Sequence, residues 1–225
     1  MPATTENKPD RKHVPIPHEQ WISIRRWPVI LALLLTGGMF YVISDKLTIG
    51  PNWIPLVSVV ALLVPLTVSR LRGHQHLTRI LGLVITGVVT LALVASVVLL
   101  ITSLLAKSIE AANLLRDAAL IWSANVMTFA VWYWEIDRGG PAARHSHCDT
   151  RPDFLFPQMN MHNDGWDNWI PMFIDYIFLA FNHSAAFSPT DTAVLSAKAK
   201  ILVMTQASIS LVVLAVLASR AVNIL

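Results

Sequence analysis

The chain has 225 residues, of which 54% are hydrophobic and 14% charged, with a formal net charge of +3. Soluble domains usually carry about 25% charged residues, so this balance excludes an ordinary water-soluble domain. The cations are scattered rather than gathered into a stripe with aromatics, which argues against a nucleic-acid partner. The single cysteine, Cys148, excludes an intrachain disulfide framework.

Residues 1–26 hold Pro2, Pro9, Pro15 and Pro17 among charged side chains and read as a largely disordered cytoplasmic tail. Trp21 and Trp27 flank Arg25 and Arg26, a pattern that suits an interfacial anchor leading into a first membrane span. Uncharged runs follow at 27–44, 47–69, 80–106, 118–134 and 201–219. The longest would extend about 40 Å as a helix, more than the ~30 Å hydrocarbon core. The first run lacks a small-residue cleavage site and reads as a retained anchor rather than a signal peptide. Pro65 lies deep enough in the second run to kink a helix. In the third, Gly82, Thr86 and Thr90 recur every four residues, a face that another helix can approach closely.

Residues 27–134 are thus expected to form a four-helix transmembrane region, followed by a polar loop at 135–167 and a C-terminal helical pair at 168–225. In the loop, "WYWEIDRGGP" closes the fourth run with an aromatic belt, where Glu135 or Asp137 would attract cations or pair with Arg138. "RHSHCD" brings together His145, His147, Cys148 and Asp149, donors suited to a transition metal, although the two spaced pairs of structural zinc sites are missing. No resident cofactor is expected. Nor is an enzyme: the sequence has no phosphate-cradling glycine loop, no HExxH and no GxSxG.

The run 168–190 is a sixth candidate span whose only formal charge is Asp175; as a helix it would cover about 34 Å. Asp175 and Asn182 are seven residues apart, as are Tyr176 and His183, so each pair lies on nearly one helical face. Ser188, Thr190 and Asp191 form a turn before the last run, which carries Gln206 and Ser210. These nine residues are the candidate lining of a pore or polar interface.

With a cytoplasmic N-terminus and six spans, twelve Lys and Arg fall inside (Lys8, Arg11, Lys12, Arg25, Arg26, Arg70, Arg72, Arg79, Arg138, Arg144, Arg151, Arg220) and five outside (Lys46, Lys107, Arg116, Lys198, Lys200). If 168–190 dips in and returns, Lys198 and Lys200 move inside and Arg220 outside, giving 13 to 4. Both satisfy the positive-inside rule, and an external N-terminus does not.

"FAVWYWEIDRGGPAAR", "PDFLFPQM", "WIPMFIDYIFLAF", "AFSPTDT" and "SRAVNIL" resemble a family of uncharacterised bacterial integral membrane proteins. That resemblance implies an inner-membrane location and no known activity. More distantly, 173–187, 188–191 and 199–223 are similar to the pore helix, filter turn and inner helix of two-helix potassium-type channels. The filter glycines are replaced by Phe187, Ser188, Pro189 and Thr190, so potassium selectivity of that kind is not implied. The expectation is an all-α polytopic bundle with about six transmembrane helices, or five plus a re-entrant segment. Its partners would be the lipid bilayer and further copies of itself, and its function an ion- or solute-permeable, channel-like one. The rival reading is a non-transporting scaffold or sensor whose loop binds a metal or a protein.

Overall fold

A computed structural model describes residues 27–106, 109–145, 151–161, 169–185 and 191–224. Seven α-helices lie among them: α1 Trp27–Val42, α2 Trp53–Leu71, α3 Gln75–Ala106, α4 Ala111–Ile136, α5 Pro141–His145, α6 Phe173–Ala185 and α7 Ala197–Ile224. The all-α expectation holds apart from a two-residue antiparallel ladder, β1 Phe154–Leu155 on β2 Ala193–Val194. Within α2, α3, α4 and α7 are four stretches long and apolar enough to cross a membrane. The fifth apolar helix, α1, has 16 residues, about 24 Å at ~1.5 Å per residue.

Helix boundaries follow local chemistry more than the limits of the uncharged runs. A short 3₁₀ turn at Asp45–Leu47 and the left-handed Gly50 delay α2 to Trp53. Pro55 then falls in the first turn of α2, where its missing N–H is harmless, and Pro65 lies inside the helix. Both α3 and α4 begin well before the uncharged runs at 80 and 118, so Arg79, Arg116 and Asp117 are helical. Near a helix end a charge reaches the interface at little cost.

The central element is α4, which packs against α1, α3, α6 and α7. Its buried positions include Leu114, Ala118, Ile121, Ala124, Phe129, Ala130 and Tyr133, so little of its circumference reaches the surface. The outer helices expose Leu31, Val57, Val64, Leu91, Val98 and Leu211, an apolar surface suited to lipid. Face to face, α3 presents Gly82, Thr86 and Thr90 to α4, and the Trp132 indole N–H donates to Thr90 Oγ1 at 2.8 Å. The stripe of small residues is therefore a site of close approach. A Cβ placed on Gly82 would lie 3.3 Å from Glu135 Oε1.

The bundle has two ends. At one, Ser44 donates its main-chain N–H (3.3 Å) and its hydroxyl to Asp117, tying the α1–α2 connection to the start of α4. At the other lie the end of α4, the loop from Asp137, both strands and the first turn of α7, where Lys198 Nζ donates to Ile136 O at 3.2 Å. This second end is called the loop end below.

Instead of a helix of about 34 Å, the described part of the sixth run is a 13-residue helix, about 20 Å long. Pro171 precedes it, and the Asp175 carboxylate accepts the Met172 N–H at 2.7 Å, capping the first turn. The helix runs antiparallel to α4. Trp134 stacks edge-on against Phe173 and Tyr176 at its start, while Trp122 meets Phe181 at 5.7 Å and donates to Ser184 O at its end. Twelve residues of α4 separate those two tryptophans, a depth of about 18 Å. The chain is nevertheless back at the loop end by Ala193, paired there with Leu155.

Between α1 and α2, Gly37 lets the helices touch: a Cβ there would lie 3.0 Å from Leu56 Cδ1 and 3.2 Å from its Cα, whereas Gly38 has nothing within 4 Å. Gly37→Leu is expected to destabilise the protein in detergent by about 1–3 kcal/mol, and Gly38→Leu to leave it near wild type. Thermal unfolding followed by circular dichroism measures both.

Candidate functional site

Two polar clusters lie inside this apolar bundle. The first, at the loop end, is organised by Asp137, which has no exposed surface. Its residue ends α4 in an extended conformation, and Arg138 beside it adopts φ 50° before Gly139 and Gly140 at φ 81° and 103°. This left-handed run reverses the chain and turns the carboxylate inward.

One oxygen of Asp137 accepts the main-chain N–H groups of Asp153 (2.9 Å) and Phe154 (3.4 Å); the other accepts the Tyr176 hydroxyl at 2.6 Å. Arg144 donates to Trp134 O and Asp137 O at 2.7 and 2.9 Å, and its guanidinium lies 4.4 Å from the Trp134 ring centre and 5.3 Å from that of Tyr176. Asp153 accepts the Arg138 N–H at 3.1 Å and pairs with Lys198 at 2.9 Å. The end of α4, the loop, α6 and α7 are thereby joined through the charged side chains of Asp137, Arg144, Asp153 and Lys198. Asp137 is consequently not an open vestibule for cations, and Glu135, 2% exposed, is buried as well.

The second cluster lies further in, spread along α4 from Tyr133, about 6 Å from Asp137, to Asn125, about 18 Å from it. Its hub is Gln206 of α7, which has no exposed surface. The Gln206 amide donates to Ala180 O at 2.7 Å and Ser184 Oγ at 2.6 Å on α6, and its oxygen accepts the Tyr133 hydroxyl from α4. Asn125 of α4 donates to Gln206 O at 3.3 Å and to Ser210 Oγ at 2.8 Å. His183 flanks this cluster, its ring centre 6.3 Å from that of Tyr133 and its Nδ1 2.8 Å from Leu179 O. Three helices thus share one hydrogen-bonded core, in which Asn125 Oδ1 is buried with no hydrogen-bond partner; Thr128 Oγ1, three residues further along α4, is buried without one as well. A buried orphan of this kind costs about 1–3 kcal/mol.

Of the sequence-derived candidates, Gln206 and Ser210 meet in this hub, with His183 beside them. Tyr176 belongs to the loop-end cluster, Asp175 is a helix cap, and Asn182 is buried on α6. Asp191 is exposed just before β2. Ser188, Thr190, His147, Cys148 and Asp149 lie outside the described residues, as does the side chain of His145, the last residue of α5. Among the described residues no three His, Cys, Asp or Glu side chains come close enough to hold a metal.

Asn125, Tyr133 and Ser184 were not singled out from the sequence. Asn125 and Tyr133 are eight apart on α4, hence on one face, and that spacing was the available signal. Comparison with known proteins assigns no family: no family model, no curated protein and no solved structure matches the chain.

Asp137→Ala strands two main-chain N–H groups and the Tyr176 hydroxyl, and is expected to lower unfolding free energy by about 3 kcal/mol; Tyr176→Phe, which removes one donor, by about 1–2 kcal/mol. The double variant should be little worse than Asp137→Ala alone, because the second change removes an interaction already lost. Denaturant titration in micelles gives all three values.

Proposed function

We propose that this is an ion- or solute-permeable, channel-like protein of the bacterial inner membrane, working as a homo-oligomer. Its chain would cross the bilayer five times, from a cytoplasmic N-terminus, with α6 as a re-entrant half-helix. The observation that carries this reading is the course of α6. It enters from the loop end, reaches about 18 Å along α4, and gives way to a chain that is back at the loop end by Ala193.

Membranes tolerate interrupted helices only where they are buried in protein or line a watery cavity, and such half-helices recur where solutes pass. The polar hub at the inner end of α6 supports the same reading. So does the resemblance of this half of the chain to a pore helix followed by an inner helix, with its loop cytoplasmic rather than external. Lys198 and Lys200 then join the cytoplasmic side, giving the 13 to 4 charge split.

A second reading draws on the loop end. Residues 151–161 fold onto α6 and α7 through Asp153, Phe154 and Phe156. A loop held this firmly suits a scaffold or sensor that passes a signal from a partner to the membrane helices.

Sidedness tests the first reading. In a Cys148→Ser background, thiols at Asp191 and Met161 are expected to be modified from the cytoplasmic side, and a thiol at the exposed Ile49 from the outside. Modification of the Asp191 thiol from the outside would mean six full crossings and no re-entrant helix.

A further inference from the structure

The mid-bundle hub carries no formal charge. Between 118 and 134 of α4, 201 and 219 of α7, and 80 and 106 of α3 there is no Asp, Glu, Lys or Arg. On α6 the single formal charge is Asp175, engaged as the cap at the loop end. The remaining titratable groups near the hub are Tyr133, whose hydroxyl is bound to Gln206, and His183. The Nδ1 of His183 faces Leu179 O, which only accepts, and so carries a hydrogen.

From this we infer that the hub selects a water-sized, uncharged hydrogen-bonding molecule, with Asn125 Oδ1 and Thr128 Oγ1 as its specificity-determining contacts; the inference rests on the permeation reading above. The orientation of Asn125 is fixed by chemistry. Its contact at 3.3 Å is with the main-chain oxygen of Gln206, which only accepts, so the nitrogen must point there and Oδ1 is the open acceptor. Thr128 follows three residues later on the same side of α4, and its hydroxyl is likewise without a hydrogen-bond partner. Neither side chain has any exposed surface, so α4 and α7 must part to admit a guest, and the smallest, water-sized molecule demands the least parting.

A neutral guest can enter by exchange. Tyr133 and Ser184 hold the two ends of the Gln206 amide with ordinary neutral hydrogen bonds. A molecule that both donates and accepts replaces such a bond with an equivalent one. An ion cannot do so. Shedding its hydration shell demands a ring of oxygens or an opposite charge, as in ion filters built from rings of carbonyls. Here the orphan acceptors are a single amide oxygen and a hydroxyl.

The full chain in liposomes, given an osmotic step and followed by light scattering, tests this with water itself as the probe. Potassium entry is followed in parallel with an ion-sensitive dye. Water flow several-fold above protein-free vesicles, with potassium entry at background, is the expected result. Thr128→Val keeps the side-chain shape and the bonds of Asn125; it should cut the protein-dependent water rate by roughly three- to tenfold, the worth of one hydrogen bond, while Thr128→Ser retains it.

Potassium entry without enhanced water flow would overturn the inference and leave the permeation reading standing. Absence of both fluxes would overturn the two together. A water rate that Thr128→Val leaves unchanged would overturn the role given to Thr128.

Discussion

A buried carboxylate must be satisfied or it is intolerable, and at Asp137 that requirement fixes the architecture of the loop end. Its two oxygens collect donors from the strand at Phe154 and from Tyr176 on α6. The loop therefore cannot leave the bundle, and α6 cannot leave the loop. Asp153, held by the same contact, reaches Lys198 and sets the start of α7. Moving an unpaired carboxylate into low dielectric costs several kcal/mol, so these donors act together or not at all. Two of them are main-chain N–H groups, which only proline would remove.

That anchoring has a consequence deeper in the membrane. Because α6 and α7 both start at the loop end, they run parallel, and Ala180 and Ser184 come level with Gln206. Interhelical hydrogen bonds within membranes contribute about 0.6–2 kcal/mol each. The contacts around Gln206 and Asn125 thus hold three helices together without making the hub rigid. The bundle thus combines charged, fully buried anchoring at the loop end with neutral hydrogen bonds further in.

Much of the bundle was legible in the sequence because membrane helices announce themselves by uncharged length, and the runs at 47, 80, 118 and 201 each contain most of a helix. Gly82, Thr86 and Thr90 likewise marked the face that meets α4. What sequence could not convey was depth. The run 168–190 is long enough to cross, and the half-helix inside it is set by the Asp175 cap, Pro171 and the pairing of Ala193 with Leu155, a contact made across 38 residues of chain. Charge position misled in a similar way. Glu135 and Asp137 stand at a helix end, where water is the natural partner, and only the left-handed turn at Arg138 to Gly140 shows that Asp137 points inward. Gln206 and Ser210 were visible as polar residues in an apolar run, whereas Asn125 and Tyr133 lay hidden among the aromatics of "NVMTFAVWYW".

The central claim is that the chain enters at Phe173 and is back at the same end by Ala193. Cysteines at Leu155 and Ala193, in a Cys148→Ser background, test it in native membranes, since these two residues are direct partners in the ladder and lie close enough for a disulfide. Mild oxidation should give an intrachain cross-link, visible as a mobility shift that reductant reverses. Failure to cross-link, together with modification of the two thiols from opposite sides of the membrane, would contradict the re-entrant course of α6.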